Sequence, residues 1–193
     1  MSEAEAAASY WSQRKLGAFS RERPWSQALA VQVAMQLPGR RGAGCAILEF
    51  GCNVGRHMHA MRQQLPEAAV TGIDIHLPAV QEARRTGLYV LLGDEFTLGL
   101  LPPDTYDVAY TVSVLDHLPD PQQALERLDR IARVLMFVEP WLGSEQQLQD
   151  RGTSPWTYSW DYEARLPRRQ WKRQPFPLHQ TGAGPHYQLH TGT

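Results

Sequence analysis

The stretch ILEFGCNVGRHMHAM, Ile47 to Met61, decides the fold. A short apolar run ends at Gly51 and a polar segment with helical period begins after Gly55, so it reads as buried strand, glycine turn and helix. Glycines at such a turn let a ligand approach the backbone, and the first turn of the helix points unbonded N–H groups at it. The dinucleotide spacing Gly-x-Gly-x-x-Gly is not met, because Asn53 and Arg56 stand in its second and third slots. A phosphate loop is excluded too, since no Gly-Lys-Ser/Thr follows. What is met is acid-x-Gly-x-Gly-x-Gly, its slots taken by Glu49, Gly51, Asn53 and Gly55. Asn53 is a mild departure, because asparagine is among the side chains that enter the left-handed region most readily.

Outward from this turn, CAILEF is the first buried strand, and AAVTGIDI, LYVLLGD, YDVAYTVSVL and VLMFVEPW are the next four. Helical segments RHMHAMRQQL, HLPAVQEARRTG and PDPQQALERLDRIARV separate them. In the second of these His76 stands at the cap position, Pro78 in the first turn and Gly87 at the close. The third puts Leu125, Leu128, Ile131 and Ala132 on one face. EFTLGLLPPDT reads as a loop with at most one helical turn. Apolar runs alternating with helices predict right-handed crossovers and a parallel sheet.

The first ten residues read as frayed or weakly helical, followed by two helices, YWSQRKLGAF and PWSQALAVQVAMQL, with Pro24 at a tolerated first-turn position. After Trp141 the texture changes. Helical period is confined to 144–151, and QWKRQPFPLHQTGAGPHYQLHT reads as two strands about the turn TGAGP. Its prolines make the first of these an edge strand.

Composition bounds the class. A chain of 193 residues, 42% hydrophobic and 20% charged, suits one domain with its own core. A net charge of −1 gives no general pull toward nucleic acid or membrane. Cys45 and Cys52 make neither a disulfide framework nor a zinc pattern, which points to a reducing cytoplasm. No signal peptide is read at the start, and no apolar run approaches the ~20 residues of a membrane span. His57 and His59 are two apart on a helix and face different ways, so no metal pair is expected.

The glycine turn, with the strand ends that follow it, resembles the class I S-adenosylmethionine-dependent methyltransferases. ILEFGCNVGR is similar to their first motif in the variant with Cys after the first glycine. TGIDI ends the second strand on Asp74, LLGDEF the third on Asp94, and YDVAYTVSVLDHLPD resembles the fourth strand and its turn. The likeness runs over Cys45–Pro140. It is nearest in texture to small bacterial methyltransferases of cell-surface sugar biosynthesis, including those associated with pseudaminic acid, although IARVLMFVEPW lacks the usual Lys-Pro-Gly-Gly turn.

The resemblance implies a Rossmann-like α/β fold: a seven-stranded, mostly parallel sheet, helices on both faces and a C-terminal antiparallel hairpin. It implies one domain over 1–193, with a helical lid (1–37), a cofactor core (45–140) and an acceptor-side elaboration (141–193). S-adenosylmethionine is the implied cofactor, held by Glu49, Gly51, Cys52, Asn53, Gly55 and Arg56, by Asp74 and Ile75 at the ribose, by Asp94 and Glu95 at the adenine, and by Ser113 under the methionine end. Tyr10, Trp11 and Arg14 lie on the implied lid.

For a hydroxyl acceptor a base is needed, and His117 is the first candidate, Asp116 the second. The implied activity is methyl transfer to a small molecule, O-directed on a sugar-like or acidic metabolite. The basic stretch RRQWKR reads as a solvated face or, functionally, as the receiver of an acceptor's phosphate or carboxylate. Two alternatives stand beside it: an RNA or protein methyltransferase using the basic C-terminal segment, and a non-catalytic cofactor-binding module. No Asn-Pro-Pro-Tyr or Asp-Pro-Pro-Tyr run is present, which lowers the nucleic-acid option.

Overall fold

The structure is a computed structural model and describes residues 2–13, 24–37, 42–148, 157–176 and 187–193. Its strands are β1 (Ala46–Phe50), β2 (Ala69–Asp74), β3 (Tyr89–Leu92), β4 (Tyr106–Val112), β5 (Ala132–Pro140), β6 (Gln146–Gln147), β7 (Tyr158–Ser159), β8 (Trp171–Pro175) and β9 (Tyr187–Gly192). Its helices are α1 (Glu3–Gln13), α2 (Pro24–Ala34), α3 (Arg56–Gln64), α4 (Leu77–Arg85), α5 (Glu95–Gly99), α6 (Gln122–Ile131) and α7 (Tyr162–Arg165). A 3-10 turn, Leu115–His117, follows β4.

Seven strands form one sheet in the order β3-β2-β1-β4-β5-β9-β8. The first five are parallel to their neighbours, and β9 runs antiparallel between β5 and β8. This is the expected architecture, with the proline-bearing β8 at the edge.

Alternation along the strands builds two cores. Ile47, Val108, Tyr110, Met136 and Val138 face α2 and α3, where Leu29, Val33, Met61 and Leu65 close the layer. Leu48, Ala109, Leu135 and Phe137 face the other way, onto Leu125, Leu128 and Ile131 of α6. Burial on both faces is why these strands read as continuous apolar runs rather than alternating ones.

Three local expectations are sharpened by the described residues. The first helix begins at Glu3, not near Tyr10, because Ser2 and Glu5 cap it reciprocally: the Glu5 N–H donates to Ser2 Oγ at 3.2 Å and the Ser2 N–H to Glu5 Oε2 at 2.6 Å. Within the segment 144–151, the described residues 144–148 hold a two-residue strand, β6, paired with β7, in place of a helix. The one helical turn allowed in EFTLGLLPPDT is Glu95–Gly99, where Asp94 and Thr97 make a second reciprocal cap. Arg14 and the turn TGAGP lie outside the described residues.

The basic stretch has a structural use. α6 passes straight into β5, leaving carbonyls at its C-terminus, and Arg169 takes them. Its guanidinium donates to the carbonyls of Ala132 (2.7 Å), Arg133 (2.8 Å) and Asp129 (3.1 Å), and also pairs with the Asp129 carboxylate. Arg173 pairs with Glu163 at 3.2 Å and lies over Trp141. Arg169→Ala is expected to lower stability by about 2–4 kcal/mol. A denaturant midpoint equal to wild type would remove the clamp.

Candidate active site

A cavity opens at the carboxyl ends of β1 to β4, where strand order reverses on either side of β1 and ligands of open α/β sheets bind. Phe50, Gly51 and Asn53 form one wall, Asp74, Ile75 and His76 the next, then Gly93, Asp94 and Glu95. Ser113, Val114 and the stretch His117–Asp120 form the far wall, and Ala7, Ala8 and Trp11 of α1 cover the opening.

The glycine turn is shaped by three left-handed residues in five: Gly51 (φ 78°), Asn53 (φ 50°) and Gly55 (φ 79°). Asn53 therefore does adopt the conformation that glycine would have supplied. Its Oδ1 accepts the Val54 N–H at 2.8 Å, which fixes the turn locally. Gly51 is required for close approach, since a Cβ there would meet Val114 Cγ2 at 2.2 Å.

Asp74 ties this turn to the next strand. Its Oδ2 accepts the Asn53 N–H at 2.6 Å and its Oδ1 the His76 N–H at 2.8 Å. Burial pushes its carboxyl up, and those two N–H bonds oppose the shift. His76 occupies the N-cap position of α4, yet its side chain makes no cap bond. Asp94 reaches the cavity and also caps α5, with Oδ1 accepting from Phe96 (2.9 Å) and Thr97 (3.3 Å).

Of the residues read from the sequence, Gly51, Asn53, Asp74, Ile75, Asp94, Glu95, Ser113 and His117 are brought to the cavity. Glu49, Cys52, Gly55, Arg56 and Asp116 lie behind its wall. Glu49 is 1% exposed and accepts from the Tyr110 hydroxyl at 2.9 Å, with His57 Nδ1 at 2.7 Å. Cys52 packs under the turn against Gly72, and burial pushes its thiol well above the usual range. Gly55 faces Leu88, where a Cβ would meet Cδ1 at 2.1 Å. His59 bonds Thr86 across to α4, so the two histidines do part ways.

His117 meets the cavity with its ring 4.5 Å from that of Trp11. Behind it stands Asp116, with Oδ1 3.7 Å from His117 Nε2 and Oδ2 accepting the Ser113 hydroxyl at 3.2 Å. Asp116 and Glu139, the penultimate residue of β5, are both 0% exposed. Burial raises the Asp116 carboxyl to about 7, and burial together with Asp116 raises Glu139 well above the carboxylate range. Two buried acids this close keep a proton between them near neutral pH.

The sequence reading missed Phe50, His76, Val114, Leu118, Pro119, Asp120, Ala7 and Ala8. Most are apolar or turn residues whose role depends on where the chain passes, and only Ala7, one helical turn before Trp11, carried a local signal.

Residues 48–134 match the family model described as a methyltransferase domain. An uncharacterized 37.1 kDa protein in transposon TN4556 of Streptomyces fradiae is 35% identical over 96 residues, 47% of this chain. The chain spans 28% of that relative's length. A SAM-dependent methyltransferase structure from Aquifex aeolicus is similar over 89% of this chain and 93% of its own, at 20% identity and a TM-score of 0.62. The N-terminal domain of EvdMO1, solved in the presence of SAH and D-fucose, is similar over 98% and 94%, at 16% identity and a TM-score of 0.65. These structural likenesses speak for the fold. With the acid-Gly-Asn-Gly turn, the match over residues 48–134 and the shared fold support a class I S-adenosylmethionine-dependent methyltransferase. Among the described residues no helix is long and apolar enough to cross a membrane, and no group of three His, Cys, Asp or Glu is placed to hold a metal ion.

Proposed function

We propose that the chain transfers a methyl group from S-adenosylmethionine to the hydroxyl of a small, sugar-like acceptor, with His117 as general base. The observation that carries this reading is the cavity itself. It sets a glycine turn, two strand-end acids and a histidine around one space, with Ala7, Ala8 and Trp11 of α1 along its lining.

The residues fit the cofactor. Gly51 lines the cavity with bare backbone, Asp74 and Asp94 would offer carboxyl oxygens to the ribose hydroxyls and adenine amino group, and Ser113 would hold the methionine end. When bound, S-adenosylmethionine supplies an electrophilic methyl on sulfur. His117 then has two tasks, to orient the acceptor hydroxyl and to take its proton at a ring nitrogen. Asp116, fully buried behind that ring, steadies it rather than meeting the acceptor. α1 serves as the lid that excludes water.

The acidic-acceptor reading and the RNA or protein reading both drew on RRQWKR. Arg169 and Arg173 there are engaged within the fold, which favours the neutral, sugar-like acceptor. The presence of D-fucose with the EvdMO1 domain supports the same choice. Two buried free cysteines are in keeping with a cytoplasmic setting.

Calorimetric titration with S-adenosylmethionine tests the reading. Asp74→Ala is expected to weaken binding by about 1–3 kcal/mol. No binding to the wild type at millimolar ligand would sink the proposal, and an unchanged affinity in the variant would remove Asp74 from the site. For the base, His117→Gln should keep donor affinity and lower transfer of labelled methyl into cell-extract metabolites about 10²–10⁴-fold. Equal incorporation would dismiss His117.

A further inference from the structure

We propose that Glu139, near the end of β5, is a positioning residue of this site: its carboxyl oxygens hold the turn that presents Ser113, Val114 and His117 to the cavity. The inference rests on the methyl-transfer reading for the reaction it serves, and its geometry stands apart from that reading.

The turn after β4 is one the local sequence does not hold by itself. Ser113 has φ 51°, in the left-handed region where a non-glycine residue is strained. Val114 stands at the cap of the 3-10 turn with no side-chain bond to offer. The N–H groups of Val114, Leu115 and Asp116 therefore need acceptors from elsewhere.

Glu139 supplies them from the neighbouring strand. Its Oε1 accepts from Val114 (3.1 Å) and Leu115 (3.3 Å), and its Oε2 from Asp116 (3.3 Å). The Thr111 hydroxyl donates to Oε1 at 2.7 Å, and the Ser113 N–H to the carbonyl of Val138 at 3.0 Å.

Every donor named here is neutral, and the carboxyl group is 0% exposed, with the Asp116 carboxyl beside it and a proton kept between the two. A carboxyl group buried without a cation is expensive, and an apolar residue would suit this strand position better. Its use is the turn. Through it, Glu139 governs two parts of the site at once: Val114, whose side chain lies over Gly51, and His117, whose ring rests on Trp11. Glu139 itself does not line the cavity, so it acts through these residues.

The test has two arms. In wild-type protein, NMR should find the amide protons of Val114, Leu115 and Asp116 shifted downfield, as N–H groups bound to a side-chain carboxyl oxygen are. Glu139→Gln, which turns an NH₂ toward those donors, should move them back. With S-adenosylmethionine as probe, the variant should hold donor affinity within about threefold while transfer of labelled methyl at saturating donor falls about 10²-fold, the scale of a misplaced reacting group. Ordinary wild-type amide shifts would overturn the proposal, and so would a variant that matches wild type in transfer. If the variant does not fold, the wild-type shifts decide. A wild-type protein that ignores S-adenosylmethionine defeats the methyl-transfer reading alone, and the amide shifts still settle what Glu139 holds.

Discussion

Asp116→Asn is expected to make the protein more stable at pH 8, by on the order of 3 kcal/mol, and to leave it nearly unchanged at pH 4. The reason is the raised carboxyl, at about 7 in the folded chain against 3.8 for an exposed aspartate. Below 3.8 both states are protonated and nothing differs. Between 3.8 and 7 the folded chain keeps a proton that the unfolded chain has lost, so stability falls as pH climbs through that window. Above it the full penalty of a buried charge remains. Asparagine removes that penalty and also the repulsion that raises Glu139.

His190 works the other way. It is buried, with its ring lowered to about 4 from 6.5, and so contributes stability that grows as pH rises from 4 to 6.5. The variant's stability should therefore decline less with pH than wild type's. Urea melts from pH 4 to 8 read this directly, and a variant less stable than wild type at pH 8 would refute it.

Gly51→Ala is expected to lower stability by about 2–4 kcal/mol and donor affinity at least about tenfold. Two penalties combine at one carbon. The backbone there is left-handed, which costs an alanine about 1–2 kcal/mol. The added Cβ would also stand 2.2 Å from Val114 Cγ2 and 2.9 Å from Cγ1, and Val114 sits on the turn that Glu139 holds. It has little freedom to move aside. Denaturation and calorimetry on the variant check both halves, and wild-type behaviour in either would show that the wall is softer than these contacts imply.

What was legible in the sequence was what is encoded locally. The strand, the glycine turn and the tolerance of Asn53 follow from the stereochemistry of a few adjacent residues. So did the parallel sheet, from apolar runs spaced by helices. What escaped notice was the partner across the fold. Glu49 reads as a ligand of the turn it precedes, yet Tyr110 and His57 occupy it. Arg169 reads as a solvated or acceptor-binding cation, because nothing near it announces the helix end that lies 37 to 40 residues earlier. Asp116 reads like a pocket acid, and only three-dimensional placement shows it behind the histidine. The Ser2–Glu5 cap is the exception, since its spacing was readable and the polar, alanine-rich first ten residues drew attention away from it.

The position of β9 bears on how the molecule assembles during synthesis. β8 precedes β9 in the chain, yet its pairing in the sheet is to β9, which separates it from β5. A nascent chain that has released β8 must leave it waiting, with the β5 edge open, until residues 187–192 emerge. The wall that Glu139 braces thus borders a seam that closes last. Slow or interrupted synthesis would expose that seam before any other part of the parallel core, making it the place where a chaperone or a wayward strand has its opportunity.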